Sequence, residues 1–330
     1  MTNTRWFRLP LLLSAAFLLS TSAASAVTVD WVTVGDPGNA ADTTSYGAVA
    51  DEYRIDKYEV SNAQYAEFLN AVAATDPNAV YNTSMGSGFG GITRSGSSGS
   101  YSYSAIAGRE DMPVNYVSFW DATRFANWLH NGQPSGAQDN TTTEDGAYTL
   151  TPAGIAANSV TRNGGGTVFV TSEDEWYKAA YYKGGGTSAG YWAYPAGSDA
   201  PTTCTVPGAA ANTANCNNVE GDLTDGGSYT GSASPSGSFD QGGNVWEWND
   251  TISFGSGRGL RGGAFDFSAN YFPALYRLVV SPVGEGGNHG FRVASPVPPP
   301  FPEGIPALGP FGMAMLGSLL GLAGYRKLHA

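Results

Sequence analysis

The densest group of oxygen donors in the chain surrounds a Gly-Gly turn, where Asp240, Gly243, Asn244, Val245 and Glu247 supply two carboxylates, a side-chain amide and backbone carbonyls. Hard oxygen donors gathered in this way suit calcium, which takes about six to eight of them. Thiol chemistry is limited to Cys204 and Cys216, the two cysteines, in a Pro/Asn/Thr-rich stretch. In an oxidising compartment their spacing predicts a local disulfide contributing up to about 3 kcal/mol through loop closure; two free thiols are the alternative. The three histidines are dispersed: His130 ends a helical stretch, His289 precedes Gly290-Phe291-Arg292, and His329 lies near the chain's end. A two-histidine, one-carboxylate centre would need His130 and His289 together, and nothing in the sequence argues for that. His130 reads instead as a partner of its helix C-terminus, and His289 as structural. Neither a phosphate-binding loop of the G-x-x-x-x-G-K-[ST] type nor an H-E-x-x-H metal helix occurs. Paired carboxylates for acid–base work are too easily nominated in so acidic a chain to mark a site.

That acidity is pronounced. Asp and Glu number 28 against 16 Lys and Arg, a net charge of −12, and four of the basic residues (Arg5, Arg8, Arg326, Lys327) stand in the end segments. Such a surface repels nucleic acid and favours cations. With 45 glycines and 13% charged residues, the composition is that of a loop-rich exported protein rather than a helical bundle.

The ends fix the expected topology. Arg5 and Arg8, an apolar run from Leu9 to Leu19, and Ala24-Ser25-Ala26 form a secretory signal pattern over residues 1–26, so the mature chain is expected to start near Val27. An uncleaved N-terminal anchor is the alternative, though the apolar run is short of the roughly 20 residues that span a bilayer. At the other end a Pro-rich linker, 295–304, leads into an apolar stretch, Ile305 to Tyr325, followed by Arg326 and Lys327. Residues 305–330 are therefore expected to form a transmembrane or sorting tail, with the basic pair inside and the domain before it outside. The tail resembles the PEP-CTERM and IPTL-type sorting tails of Gram-negative bacteria, with Pro302-Glu303-Gly304 in place of Pro-Glu-Pro and Ile305-Pro306-Ala307-Leu308 nearer the IPTL form. The resemblance implies a sorting protease as a partner and leaves open whether the helix is retained or removed.

Residues 27–294 must contain the domain. Strands are expected at Val27 to Val34 and at Tyr53 to Val60, from their alternation. Ser61 should cap a helix whose apolar face is Tyr65, Phe68, Leu69 and Val72. A short strand from Pro113 should lead into a second helix carrying Ala122, Phe125, Ala126 and Leu129, and Ser172 with Glu175 predicts a capping box for a third. Tyr81 to Ser104 reads as a long Gly/Ser-rich surface loop, and the chain after Lys183 as turns and short strands.

Six segments occur in a telling order: Lys57-Tyr58-Glu59-Val60-Ser61-Asn62, Met112-Pro113-Val114-Asn115-Tyr116, Thr171-Ser172-Glu173-Asp174-Glu175-Trp176, Gly243-Asn244-Val245-Trp246-Glu247-Trp248, Leu260-Arg261-Gly262-Gly263-Ala264-Phe265 and Gly290-Phe291-Arg292-Val293. Together they resemble the formylglycine-generating-enzyme (sulfatase-modifying factor) family over about residues 28 to 294. The resemblance implies an α+β, C-type-lectin-like fold, with few helices around short twisted antiparallel sheets and much irregular loop.

In catalytic members of that family two cysteines after the Arg-Gly-Gly motif bind copper and oxidise a substrate cysteine. Here those places fall on or beside Phe267 and Phe272, so no copper is expected. The former groove is instead expected to be an aromatic cleft flanked by Arg261, Asp266, Asn270 and Arg277, suited to a peptide, protein or glycan; the alternative is that the two rings simply fill it. The resemblance also maps one calcium site onto Asp240, the Gly243 and Val245 carbonyls and Glu247. It maps a second onto Asn215, the Cys216 carbonyl, Asp225 and the Tyr229 carbonyl. Trp246 and Trp248 are expected in the core. The resulting expectation is an exported, calcium-stabilised binding or structural module. The competing one is a divergent oxidase or protein modifier using another metal.

Overall fold

The computed structural model describes residues 26–253 and 255–298. The signal-like segment, most of the Pro-rich linker and the apolar tail lie outside them. No helix among the described residues is long and apolar enough to cross a membrane.

In chain order, β1 (Trp31–Val34) and β2 (Tyr53–Asp56) pair antiparallel, followed by α1 (Asn62–Val72) and a 3-10 turn at Thr83–Gly86. The hairpin β3 (Ile92–Ser95) and β4 (Ser102–Ala105) precedes α2 (Phe119–His130) and the short α3 (Pro152–Ala156). Then come β5 (Phe169–Val170), α4 (Glu173–Tyr181) and the two-residue strands β6 (Thr203–Cys204) and β7 (Thr213–Ala214). Last are β8 (Trp246–Ser253), β9 (Gly257–Arg261), a 3-10 turn at Ala269–Tyr271, β10 (Leu278–Val280), β11 (His289–Gly290) and β12 (Val293–Pro296). One sheet has the order β1-β2-β12-β5 and the other β10-β9-β8-β11, so the last strand closes against the second. The class is α+β, with small sheets and much loop. The sheets are not wholly antiparallel: β11 pairs parallel with β8, and β6 with β7.

Three helices start on the same device. Ser61, Ser118 and Ser172 each accept the N3 amide, while Gln64, Asp121 and Glu175 return a bond to the cap amide. Each cap is worth about 1 kcal/mol and fixes where its helix begins. The faces so oriented meet in an aromatic core, with Phe68 edge-on to Phe125 at 5.5 Å and Phe125 edge-on to Phe291 at 5.4 Å.

Three expectations need correction. The stretch from Tyr81 to Ser104 is not simply a surface loop, because Tyr81, Met85, Ile92 and Tyr103 are buried and anchor the β3–β4 hairpin. The first strand is confined to Trp31–Val34, since the Val27 main chain instead exchanges bonds with the Gln133 side chain. Pro113 forms a single bridge to Ser61 rather than a strand. The cysteines are bridged: Cys204 and Cys216, with Cα atoms 5.0 Å apart, tie β6 to the residues after β7.

Candidate functional site

The parallel pairing of β11 with β8 places Gly290 opposite Glu247, and two residues later Arg292 meets its carboxylate. Arg292 donates from Nε to Glu247 Oε2 at 2.5 Å and from Nη2 to Oε1 at 2.7 Å, and Trp176 Nε1 donates to Oε2 at 2.7 Å. The remaining guanidinium donors go to the Asp56 and Phe239 carbonyls. All three side chains are fully buried. Three more buried carboxylates, Asp56, Glu59 and Asp240, surround this single cation. Burial pushes Asp56 up to about 7, with Arg292 pulling the other way. Burial likewise raises Asp240 to about 6, and raises Glu59 well above the usual carboxylate range, helped by the charges of Asp240 and Glu247.

This changes the reading of the Gly-Gly turn. Glu247 is not a free calcium ligand, since both oxygens are held by Arg292 and Trp176. Asn244 is a scaffold residue: its side chain accepts from Thr224 N and Asn215 Nδ2 and donates to Glu59 and the Thr224 carbonyl. Asp240 accepts from Gly227 N at 2.6 Å. Gly243 has φ +96°, and a Cβ there would stand 2.3 Å from the Asn215 carbonyl oxygen, so only glycine lets the two segments meet. Of the mapped donors, Glu247 and the Asn244 side chain are thus engaged by protein partners, and Asp240 through one oxygen. Among the described residues no three His, Cys, Asp or Glu side chains converge closely enough to share a metal.

The second mapped set fits in one respect. Asn215 Oδ1 is buried with no hydrogen-bond partner, while its Nδ2 serves the Asp222 carbonyl. An orphaned buried oxygen is costly and marks a place where a cation or water completes the structure. The Cys216 and Tyr229 carbonyls accept from Val219 and Ser232, and Asp225 is exposed beside Asp111 and Glu110.

The segment after Gly262-Gly263 divides the expected cleft. Phe272 is fully buried against Ala214 and Cys216, and Arg261 is fully buried on Glu173 and the Ala274 and Tyr276 carbonyls. Neither reaches a ligand. Arg277 pairs with Glu173 at 2.8 Å and reaches Tyr46. Asp266 is exposed and accepts from Asn288, and Asn270 is exposed. Phe267 remains half-buried in a set of edge-on rings, 5.5 Å from Trp246 and 4.9 Å from Tyr271; Tyr271 stands 4.6 Å from Tyr276. Trp246 Nε1, at the base of this set, is buried without a partner. Trp246 and Trp248 both belong to the core, as expected. The histidines are apart in role: His130 bonds Thr167, and His289 accepts from Gly286 N beside Trp248. Gly186-Thr187-Ser188-Ala189-Gly190 has the spacing of a serine-nucleophile elbow but lies in a turn after α4, with no strand before it.

An α+β domain with a buried Glu–Arg hub and an Arg-Gly-Gly turn is the class that fold and site define. The model of the Sulfatase-modifying factor enzyme 1-like domain matches residues 31–297, and the chain belongs to that family. Among solved structures it is similar to CarF, at 18% identity and TM-score 0.51, with 83% of this chain and 100% of CarF covered. It is also similar to Treponema denticola variable protein 1, at 17% identity and TM-score 0.47 over 83% of this chain and 98% of that one. PvdO from Pseudomonas aeruginosa gives 16%, 0.41, 82% and 92% in the same order. Comparison with curated proteins gives no significant match.

The raised carboxylates set a pH dependence. A group whose folded pKa lies above its unfolded value near 4 holds more protons in the folded state, so stability falls as pH rises between the two. For Asp56 that window runs from about 4 to about 7, with a slope of at most about 1.4 kcal/mol per pH unit. Urea unfolding should show Asp56→Asn gaining on the wild type from pH 5 to pH 8; a constant difference between the two would contradict the burial argument.

Proposed function

We propose that this chain is an exported, membrane-tethered, non-catalytic member of its family, which recognises a peptide or glycan on the surface formed by Phe267, Tyr271 and Tyr276. The observation that carries the reading is the set of half-buried rings, Phe267, Tyr271 and Tyr276, packed edge-on to one another over the core residue Trp246. A phenylalanine stands where the resemblance puts a thiol, and its ring offers neither a metal-binding lone pair nor a redox-active atom. Ring faces supply contact area at low entropy cost, and the tyrosine hydroxyls can bond to a ligand carbonyl or hydroxyl. Asp266 and Asn288 supply a polar rim. The signal-like start, the apolar tail and the disulfide support placement outside the cell. Peptide and glycan arrays should give binders that Tyr276→Ala and Phe267→Ala lose. Copper-dependent oxidation of a cysteine peptide by the wild type would overthrow the reading in favour of a divergent oxidase.

Calcium enters the same proposal through Asn215 Oδ1 rather than through Glu247. A ligand of the native state at a hundredfold excess over Kd adds about 2.7 kcal/mol. Chelation should therefore lower the melting temperature of the wild type, and the calcium-dependent part of the shift should vanish in Asn215→Ala. An unchanged wild-type melting temperature on chelation would remove calcium from the account.

A further inference from the structure

A second place in the molecule is short of a cation. A cavity of about 550 Å³ is lined, among the described residues, by six carboxylates, Asp30, Asp56, Glu59, Glu67, Asp111 and Asp225, with no lysine or arginine; Val27 also lines it, but its main-chain nitrogen, the α-amino group of a chain cut before it, bonds Gln133 Oε1 rather than an acid. Asp56, at its wall, is 2% exposed, and its Oδ2 has no hydrogen-bond partner, while Oδ1 takes only a long bond from Tyr58 N at 3.4 Å. Arg292 lies behind it but does not answer it: that guanidinium donates to the Asp56 main-chain carbonyl and commits its other donors to Glu247 and Phe239. An unpaired buried carboxylate is expensive, and it is tolerated where something pairs with it.

We propose that this cavity binds an alkylammonium or guanidinium group, carried either by a free diamine or by a lysine or arginine side chain of a peptide. The site is separate from the aromatic surface and does not depend on that reading. An anion is disfavoured although the α1 N-terminus lines the cavity, because the first-turn amides are already taken: Asn62 N by the Met112 carbonyl, Ala63 N by the Glu110 carbonyl and Gln64 N by Ser61 Oγ. A single metal ion is disfavoured because no three of the acids converge on one point. The charges are instead spread around a space large enough for an aliphatic stem, with Tyr58 and Gln64 also on the wall. An extended organic cation matches that spacing, its donors reaching Asp56 while the stem follows the wall.

Isothermal titration of the full chain at low ionic strength would use 1,4-diaminobutane, capped Gly-Lys-Gly and Gly-Arg-Gly peptides, and calcium chloride. Saturable binding of at least one organic cation is expected, weakened about tenfold by Asp56→Asn, which keeps the shape and removes one charge-assisted bond. Exposed Asp111→Asn, which leaves the core untouched, should weaken it in the same direction. Whether the diamine or a peptide binds tighter identifies the source of the cation. The proposal is overturned if no organic cation binds saturably, if neither substitution changes the affinity, or if calcium alone binds in a manner sensitive to Asp56→Asn.

Discussion

Arg292 is fully buried, and its guanidinium is answered by the Glu247 carboxylate from 45 residues away in sequence. That pair holds β8 against the chain's last turn, and through Trp176 it draws in the start of α4. The attraction in a low-dielectric interior is large, yet most of it offsets the desolvation of two ions. What the pair supplies is therefore position more than net stability. Because Arg292 also bonds the Asp56 and Phe239 carbonyls, one side chain sets the spacing of β2, β8, β12 and the Gly-Gly turn.

The cost appears next door. Asp56, Glu59 and Asp240 share the field of a cation already spent on Glu247, so their charged forms are poorly supported. One of them, Asp56, faces a cavity with no basic residue among its described lining. On the other side of β8, the side chain adjacent to Glu247, Trp246, lies below the half-buried rings with its N–H free. The two surfaces proposed for recognition are thus of opposite character, one aromatic beside β8 and one acidic beside β2.

Much of this was legible in the sequence because it is local. The Ser61 and Ser172 caps, the helical faces they start, and the α+β class all follow from short-range spacing or from the six ordered motifs. The Ser118 box was missed because aspartate replaces the usual Glu or Gln. The β3–β4 hairpin was hidden in Gly/Ser-rich sequence, where four apolar residues sufficed to bury it. The Arg292 partner of Glu247 was not legible, because a donor set around a turn looks the same in sequence whether it faces a metal or an arginine. Phe272 and Arg261 failed as cleft residues in the same way, each being claimed by the interior. No local signal pointed to the orphaned oxygens of Asn215 and Asp56.

The claim on which the rest stands is that Glu247 is bound to Arg292. A double-mutant cycle with Glu247→Gln and Arg292→Met, read by urea unfolding in the presence of chelator, tests it directly. The account predicts single losses of about 3–5 kcal/mol and a coupling of about 2–3 kcal/mol, so that the double variant loses clearly less than the sum. Additive losses would contradict it, because they would mean that the two buried charges do not meet.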